Sequence, residues 1–305
     1  MNLDLKKGLI FLLLTLFLFA CEKDDNSKNT DNDLNEPIIT ESGSININAL
    51  RRVNPNFKLE NLAANGTSAI ELLTDSKYKS ITLEILSVEG FEPSEFAKQT
   101  LLDFIGARLN KPNGVKVIER SINSPGIDKY DVQNVFSEVE VINRTQFSNG
   151  SDLAIFVYFA DKDNKGTNFE KDMNSAILGT AYLNTSFVIY KETINKIAAN
   201  NASDIQNIEA GTLNHEFCHL LGLVNGPETP MSKDQGDHED FERDSDGVIV
   251  NDTNGKPKGN NHCDVEFCLM EANARLIRDM MGRGDLPILE LDPKCIKDLQ
   301  AIGGK

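Results

Sequence analysis

The residues of this chain best suited to chemistry are His215, Glu216 and His219, which form the pattern His-Glu-x-x-His in a segment patterned as a helix. Residues four apart lie on one helical face, so both imidazoles can reach the same zinc ion. Glu216 is then placed to take a proton from a metal-activated water. A surface helix that carries two histidines by chance is the alternative. The chain has only four histidines, and the pattern therefore predicts a zinc site with a catalytic base.

A catalytic zinc site needs a third protein ligand beside the position kept open for water. The position where a third histidine would follow this pattern holds Asn225. The remaining histidines, His262 and His238, both lie a short way downstream. His262 is the first candidate for the third ligand and His238 the alternative. Asn225 or a carboxylate, such as Glu271 on a following helix, are further alternatives.

His262 begins a second pattern, His-Cys-x4-Cys-x-Met, which continues through Cys263 and Cys268 to Met270. The first pattern continues to Gly222, a residue that lets a chain leave a helix sharply. With these two patterns the chain resembles the metzincin peptidases, and among them the archaemetzincins. It resembles a metzincin-like lipoprotein group of Bacteroidetes more closely still. The resemblance covers the motif residues and the order of strands and helices before them.

This resemblance implies a zinc-dependent endopeptidase with one catalytic zinc ion. The implied zinc ligands are three histidines: His215, His219 and His262. Glu216 would be the general base, and Met270 would form the Met-turn beneath the histidines. An insertion of about residues 225–261 would separate the two patterns. An antiparallel edge strand at residues 176–182 would bind extended peptide substrates by main-chain pairing.

The cysteines set this chain apart from archaemetzincins, which bind a second, structural zinc through four cysteines that include a Cys-x-x-Cys pair after the methionine. This chain has only Cys295 in that region. We therefore expect no structural zinc and instead expect disulfide pairing in the cell envelope. Cys263 and Cys268 could pair across their short loop, although the sequence does not choose among the three pairings of the four cysteines. Cys218 can also be a small buried apolar residue.

The predicted fold class is α+β and metzincin-like. We expect a mixed, twisted five-stranded sheet with packed helices, an active-site helix, a Met-turn and a small C-terminal helical subdomain within a catalytic domain at residues 80–305. The apolar periodicity predicts strands at 80–89, 115–122, 152–160, 176–183 and 186–190. It predicts helices at 96–109, 130–143, 191–199 and 209–224.

The N-terminus is typical of a lipoprotein. Residues 1–20 hold a mostly apolar run that is too short to span a bilayer and suits a signal peptide. They lead to Leu-Phe-Ala-Cys, which resembles the lipobox of bacterial lipoproteins and predicts lipidation of Cys21. The polar residues 21–45 predict a disordered tether. Residues 46–79 read as an N-terminal extension with one short helix at 69–73. We expect an outer-membrane lipoprotein that faces the cell surface or the periplasm.

The net charge is −16, from 31 basic and 47 acidic residues. This balance argues against nucleic acid and against anionic membrane surfaces as partners. The expected partners are a peptide or protein substrate and the membrane that holds the lipid anchor. The expected oligomeric state is a monomer.

One acidic segment raises the question of calcium. Residues 242–249 resemble the start of an EF-hand loop, but its twelfth position holds Thr253 instead of glutamate. Calcium binding is therefore a minor prediction beside a solvated acidic loop.

The alternative function is a non-catalytic surface lipoprotein that uses a metzincin scaffold for adhesion or glycan binding. The intact Glu216 favours the enzyme, because a scaffold without activity has no chemical need of this base.

Overall fold

The computed structural model describes residues 36–169, 176–199, 201–224, 238–244, 246–272 and 287–305. The predicted signal peptide and Cys21 lie outside the described residues, as does Asn225. Within the described ranges, no helix has both the length and the apolar character needed to cross a membrane.

A five-stranded mixed sheet forms the centre of the fold and confirms the predicted α+β class. Its strands are β1 (Ser80–Val88), β2 (Val115–Ile122), β3 (Asp152–Ala160), β4 (Gly179–Leu183) and β5 (Ser186–Tyr190). Their order across the sheet is β2-β1-β3-β5-β4. The first four strands of that order are parallel to their neighbours, and β4 pairs antiparallel with β5. The predicted edge strand is therefore present, although it starts at Gly179 and not at Ala176.

The middle strand β3 is buried on both faces, as its nearly continuous apolar sequence predicts. Ile155 and Val157 belong to the main core, which is the buried cluster between the sheet and the helices that carry Phe104 and Phe217. Phe156 and Tyr158 belong to a second cluster on the opposite face. The sheet thus packs between these two clusters. Its strands β5 and β4 lie at one side, next to the predicted metal-binding helix.

The helix with the first motif, α6, spans Ala202–Leu220, and α5 (Lys191–Ile197) precedes it. The prediction placed the start of α6 at Glu209 and its end at Val224, and both were wrong. The helix begins earlier because the Asn201 side chain accepts hydrogen bonds from Ser203 N and Asp204 N and so caps it. It ends earlier because Gly222 adopts a φ of +84°, which turns the chain out of the helix.

Helix α3 (Glu95–Arg108) packs beside α6 in the main core, and the Phe104 and Phe217 rings meet edge to face at 6.3 Å. The helix predicted at 130–143 is a continuous helical stretch, α4. It is built of Val132–Asn134, a π-helical part at Val135–Glu140, and Val141–Asn143. A capping box begins this stretch: the Asp131 side chain accepts a hydrogen bond from Asn134 N, and the Asn134 side chain accepts one from Asp131 N.

The N-terminal extension is part of the folded domain. It holds α1 (Ile47–Val53), a 3₁₀ turn (Leu59–Leu62) and α2 (Ala69–Leu73). Leu50 packs with Phe136 and Leu183 in a third buried cluster. The structure also corrects the predicted tether. Residues 36–45 form a tight turn with a bridge between Ile39 and Ile45, because these isoleucines find apolar partners in the third cluster.

The segment after the metal-binding helix contains a two-stranded hairpin, β6 (Glu239–Phe241) and β7 (Gly259–Cys263). The last helix, α7, spans Pro293–Ala301. Its buried residues Cys295 and Leu299 lie in the main core. The small C-terminal helical subdomain of the prediction is represented by α7, which packs against the main core, and residues 273–286 before it lie outside the described residues.

Candidate metal centres

Three histidines converge at one point of the structure, and they are the three that the motif resemblance selected. The ring centroids of His215, His219 and His262 are separated by 4.9 to 5.2 Å. One nitrogen from each ring lies within 4.8 Å of the others. We call His215, His219 and His262 the histidine site. A shared zinc ion requires convergence of this kind, with each nitrogen about 2 Å from the ion.

Each of these rings is fixed by a backbone carbonyl. The Nδ1 atom of His215 lies 2.7 Å from the carbonyl oxygen of Leu269. The Nδ1 atom of His219 lies 3.1 Å from that of Leu223, and the Nδ1 atom of His262 lies 2.8 Å from that of Asn260. A carbonyl oxygen can only accept, so each Nδ1 carries the ring proton. The Nε2 atom then carries the lone pair that a metal requires. Carbonyl partners of this type orient metal-binding histidines and fix their tautomer.

Burial also keeps the three rings neutral. It lowers the pKa of His215 to about 3, with a further contribution from the neighbouring His262. Burial likewise lowers the pKa of His219, well below its usual value, and that of His262. Neutral imidazoles can bind a metal at neutral pH without first losing a proton. The histidine site therefore fits a zinc ion in geometry, tautomer and charge.

Glu216 lies beside this site and is almost completely buried, with 5% of its surface exposed. Its Oε2 atom accepts a hydrogen bond of 2.8 Å from the backbone N–H of Ala181 in β4. Burial raises the pKa of Glu216 to about 8, although the Ala181 hydrogen bond acts in the opposite direction. A carboxyl group whose pKa lies near neutrality suits proton transfer in both directions. The sequence offered no signal for the role of Ala181.

Met270 is fully buried in the main core. Its neighbour Leu269 supplies the carbonyl that orients His215. Its own carbonyl accepts a hydrogen bond of 2.7 Å from the N–H of Cys263, the residue after His262. The turn that carries Met270 is thus tied to His215 and to the residue that follows His262, in the place where the Met-turn was predicted.

His238, the alternative third ligand, lies in a different cluster. This cluster consists of four buried residues: His238, Cys263, Asp292 and Cys295. One potential metal-binding atom from each residue lies within 4.8 Å of the other three. We call His238, Cys263, Asp292 and Cys295 the cysteine site. His238 Nδ1 is 3.2 Å from Cys263 Sγ, and its Nε2 is 3.0 Å from Asp298 Oδ2. The structure therefore places His262 in the histidine site and His238 in the cysteine site, and the identity of the third zinc ligand stays a prediction.

Cys268 adjoins the cysteine site, with its Sγ 3.8 Å from that of Cys295. The sulfur also accepts from the backbone N–H groups of Met270 and Asp292, at 3.4 and 3.5 Å. Hydrogen bonds from Cys263 and Cys295 lower the pKa of the Cys268 thiol. Backbone donors of this kind stabilise the thiolate form that binds metals.

Two expectations about the cysteines differ from the structure. Cys263 and Cys268, predicted to pair, are both free thiols, as are Cys218 and Cys295. A second metal-binding cluster was not expected, because the chain lacks a Cys-x-x-Cys pair after Met270. The structure instead brings in His238, which lies far from Cys295 in sequence. No local spacing signals such a group, so sequence reasoning missed it.

The acidic segment considered for calcium forms a hairpin turn. The Asp244 carboxylate accepts from the backbone N–H groups of Asp246 and Val248, each at 2.9 Å. These contacts account for the conformation of the turn as an Asp-stabilised loop. Calcium binding stays a prediction.

No family model matches the chain, and no curated protein matches it in sequence. Among solved structures, the chain is similar to the crystal structure of an archaemetzincin from Methanopyrus kandleri. The sequence identity is 12% and the TM-score 0.42, and the match covers 73% of this chain and 96% of that chain. A similarity at this level does not decide function, which depends on the side-chain geometry of the two sites.

Proposed function

We propose that this protein is a zinc-dependent endopeptidase of the metzincin type. The observation that carries the proposal is the histidine site, where three neutral rings converge beside a buried glutamate. The Nδ1–H of each ring donates a hydrogen bond to a backbone carbonyl, which leaves the Nε2 lone pair available to a metal. A zinc ion held by His215, His219 and His262 would supply Lewis-acid activation of a peptide carbonyl and of a water molecule.

Glu216 is the residue proposed to move the proton. It would accept a proton from the attacking water and then donate it to the nitrogen of the leaving amine. Its burial beside the histidine site supports this role, because it keeps the carboxyl group next to the proposed zinc ion. The hydrogen bond from Ala181 holds the carboxylate against the edge strand during both steps.

Strand β4 is the proposed binding element for an extended peptide. It lies at the edge of the five-stranded sheet and runs antiparallel to β5, so one side of its backbone has no neighbouring strand in the described sheet. An extended segment can add to such an edge by main-chain hydrogen bonds. Gly179, Thr180 and Ala181 have small side chains that would let a peptide backbone approach closely.

We propose a structural metal, also zinc, for the cysteine site. His238, Cys263 and Cys295 would be ligands, with Asp292 or Cys268 completing four. Thiolate and imidazole ligands in a closed group of four are typical of structural zinc. The burial of all four residues of the site supports this assignment, because it leaves no open position for a substrate.

The cellular setting is proposed from the N-terminal sequence. Cys21 after its apolar segment supports a lipid anchor, and the polar residues that follow would separate the catalytic domain from the outer membrane. The protein would act there as a monomer on peptides or proteins.

The decisive experiment replaces Glu216 with glutamine. We expect Glu216→Gln to keep its bound zinc, measured by elemental analysis, and to lower kcat/KM on quenched-fluorescent peptides about 10²- to 10⁴-fold, since a general base contributes that much. Asp204→Asn makes the same chemical change at the start of the same helix and should leave activity within about 2-fold. Equal hydrolysis by Glu216→Gln and wild type would contradict the mechanism. A zinc-loaded wild type that cleaves no peptide would contradict the proposed function itself.

A further inference from the structure

We infer that Gly179 and Ala181 of strand β4 are positioning residues that set the conformation of the Glu216 carboxylate. The inference rests on the proposed function, in which Glu216 is the general base. Neither residue belongs to the motifs from which the metal site was predicted.

The first contact is the backbone N–H of Ala181. In an antiparallel pair, successive backbone groups point alternately toward the neighbouring strand and away from it. Tyr190 N donates to Leu178 O at 2.8 Å, so the backbone faces β5 at Leu178, directly before β4, and by alternation faces away from β5 at Gly179 and Ala181. The Ala181 N–H points away from β5, because it donates to Glu216 Oε2 at 2.8 Å. The free edge of β4 therefore contacts the catalytic base.

The second contact depends on the missing side chain of Gly179. A Cβ atom at this position would lie 2.6 Å from Glu216 Cγ, 2.7 Å from Oε1 and 2.9 Å from Cδ. Real Cβ atoms essentially never approach other heavy atoms this closely. The φ angle of Gly179 is not positive, so other residues could adopt its backbone conformation. A Cβ here would therefore displace the Glu216 side chain, since every atom that it would meet belongs to that side chain and none to the backbone.

The edge strand is itself held in place. The pairing of β4 with β5 shifts register between Ala181 and Leu183, which marks a bulge at Tyr182. The Tyr182 hydroxyl donates to Glu140 Oε2 at 2.8 Å, and Glu140 forms a fully buried ion pair with Arg144. A bulge fixed in this way sets where the preceding N–H points. The position of the base thus depends on the buried network under the sheet.

These contacts have a consequence for catalysis and for substrate binding. The carboxylate is held by a hydrogen bond from Ala181 and by close packing against Gly179, so few side-chain conformations are open to it. A misplacement of a catalytic group by about 1 Å can cost on the order of 10²-fold in rate. Since the Ala181 N–H is engaged by Glu216, a bound peptide would pair with other backbone groups of β4.

The test is the variant Gly179→Ala, compared with Gly106→Ala in α3, where a Cβ meets nothing within 4 Å. We expect Gly179→Ala to keep its zinc and to lower kcat on peptides about 10²-fold with little change in KM, because the base is displaced. Gly106→Ala should match wild type. Wild-type kcat in Gly179→Ala, in a preparation where the wild type is active, would overturn the inference and leave the proposed function standing.

A second measurement does not depend on activity. Gly179→Ala should lower Tm by a few degrees, since a crowded core site destabilises a protein of this size to that extent. Glu216→Ala removes the atoms that the new methyl would meet. In the Glu216→Ala background, Gly179→Ala should therefore lower Tm by less than about 1 °C. An equal Tm loss in both backgrounds would show that Gly179 does not act through Glu216. If Gly179→Ala alone fails to fold, recovery of folding in the double variant supports the inference, and failure of both overturns it.

Discussion

The histidine site and the cysteine site lie close together in the chain but differ in access. His219 and His262 are half-buried, whereas all four residues of the cysteine site are buried. Glu216, the proposed base, is buried next to the histidine site. Catalytic zinc sites keep three protein ligands and an open position, while structural sites are closed by four. The difference in exposure matches the two proposed roles, a reaction at the histidine site and support of the fold at the cysteine site.

One strand supplies both sites. His262 and Cys263 are consecutive residues of β7, and successive side chains of a strand point to opposite faces. His262 consequently reaches the histidine site and Cys263 the cysteine site. A metal in the cysteine site would fix the strand that delivers the third ligand of the other site. The closed site can therefore support the geometry of the open one.

The largest expected change in activity, which tests the assignment of the two sites, comes from replacing His262 and His238 one at a time. His262→Ala should lose the metal of the histidine site and lower kcat/KM at least about 10³-fold, because Lewis-acid activation contributes several kcal/mol. His238→Ala should lose a metal as well, but it should keep the catalytic one, and its activity in the folded protein should fall far less, since only the support of β7 is lost. Elemental analysis together with peptide hydrolysis measures both. The opposite pattern, an inactive His238→Ala and an active His262→Ala, would show that the two sites are assigned wrongly.

A smaller effect on stability is expected from the cysteine site. Cys295→Ala should lower the free energy of unfolding by about 3 kcal/mol, because it removes a metal ligand and leaves the other buried donors without their partner. Urea unfolding of the metal-loaded protein measures this. Cys218→Ala changes a buried cysteine outside the cysteine site and serves as the matched control, with an expected loss of about 1 kcal/mol from packing alone. Equal losses in the two variants would argue against a structural metal.

The smallest predicted effect concerns pH and the histidine site without its metal. Burial lowers the pKa of His215 from 6.5 to about 3 in the folded state. Below pH 6.5 the unfolded chain therefore binds more protons at this residue, so stability is lost as pH falls. Between pH 7.5 and 5 this residue should cost about 2 kcal/mol, at about 1.4 kcal/mol per pH unit below 6.5.

The measurement is urea unfolding of the metal-depleted protein at the two pH values, beside His215→Phe. The variant should lose about 2 kcal/mol less than wild type over this interval. The same pH dependence in both proteins would show that His215 is not held neutral by the fold.

Much of the scaffold follows from local sequence. The strands at 115–122, 152–160 and 186–190 were predicted with the bounds that the structure shows, because their apolar runs are continuous or regularly spaced. The helix with His215 was recognised but its limits were not. Its start depends on the cap at Asn201, which apolar periodicity does not register. The isoleucines of residues 36–45 were read as tether because their packing partners lie far away in the chain.

The sequence by itself determined the pair His215 and His219 with Glu216, since residues four apart on a helix must share a face. It also pointed to His262 and Met270 through their spacing from two cysteines. Only the tertiary structure placed His238 with Cys263 and Cys295, and Gly179 against Glu216. Closing a longer loop costs little additional entropy. The number of residues between His219 and each downstream histidine therefore could not show which of the two, His238 or His262, joins the histidine site. The two histidines reach different clusters through the alternation of side chains along β7 and the packing of α7, both of which exist only in the folded chain.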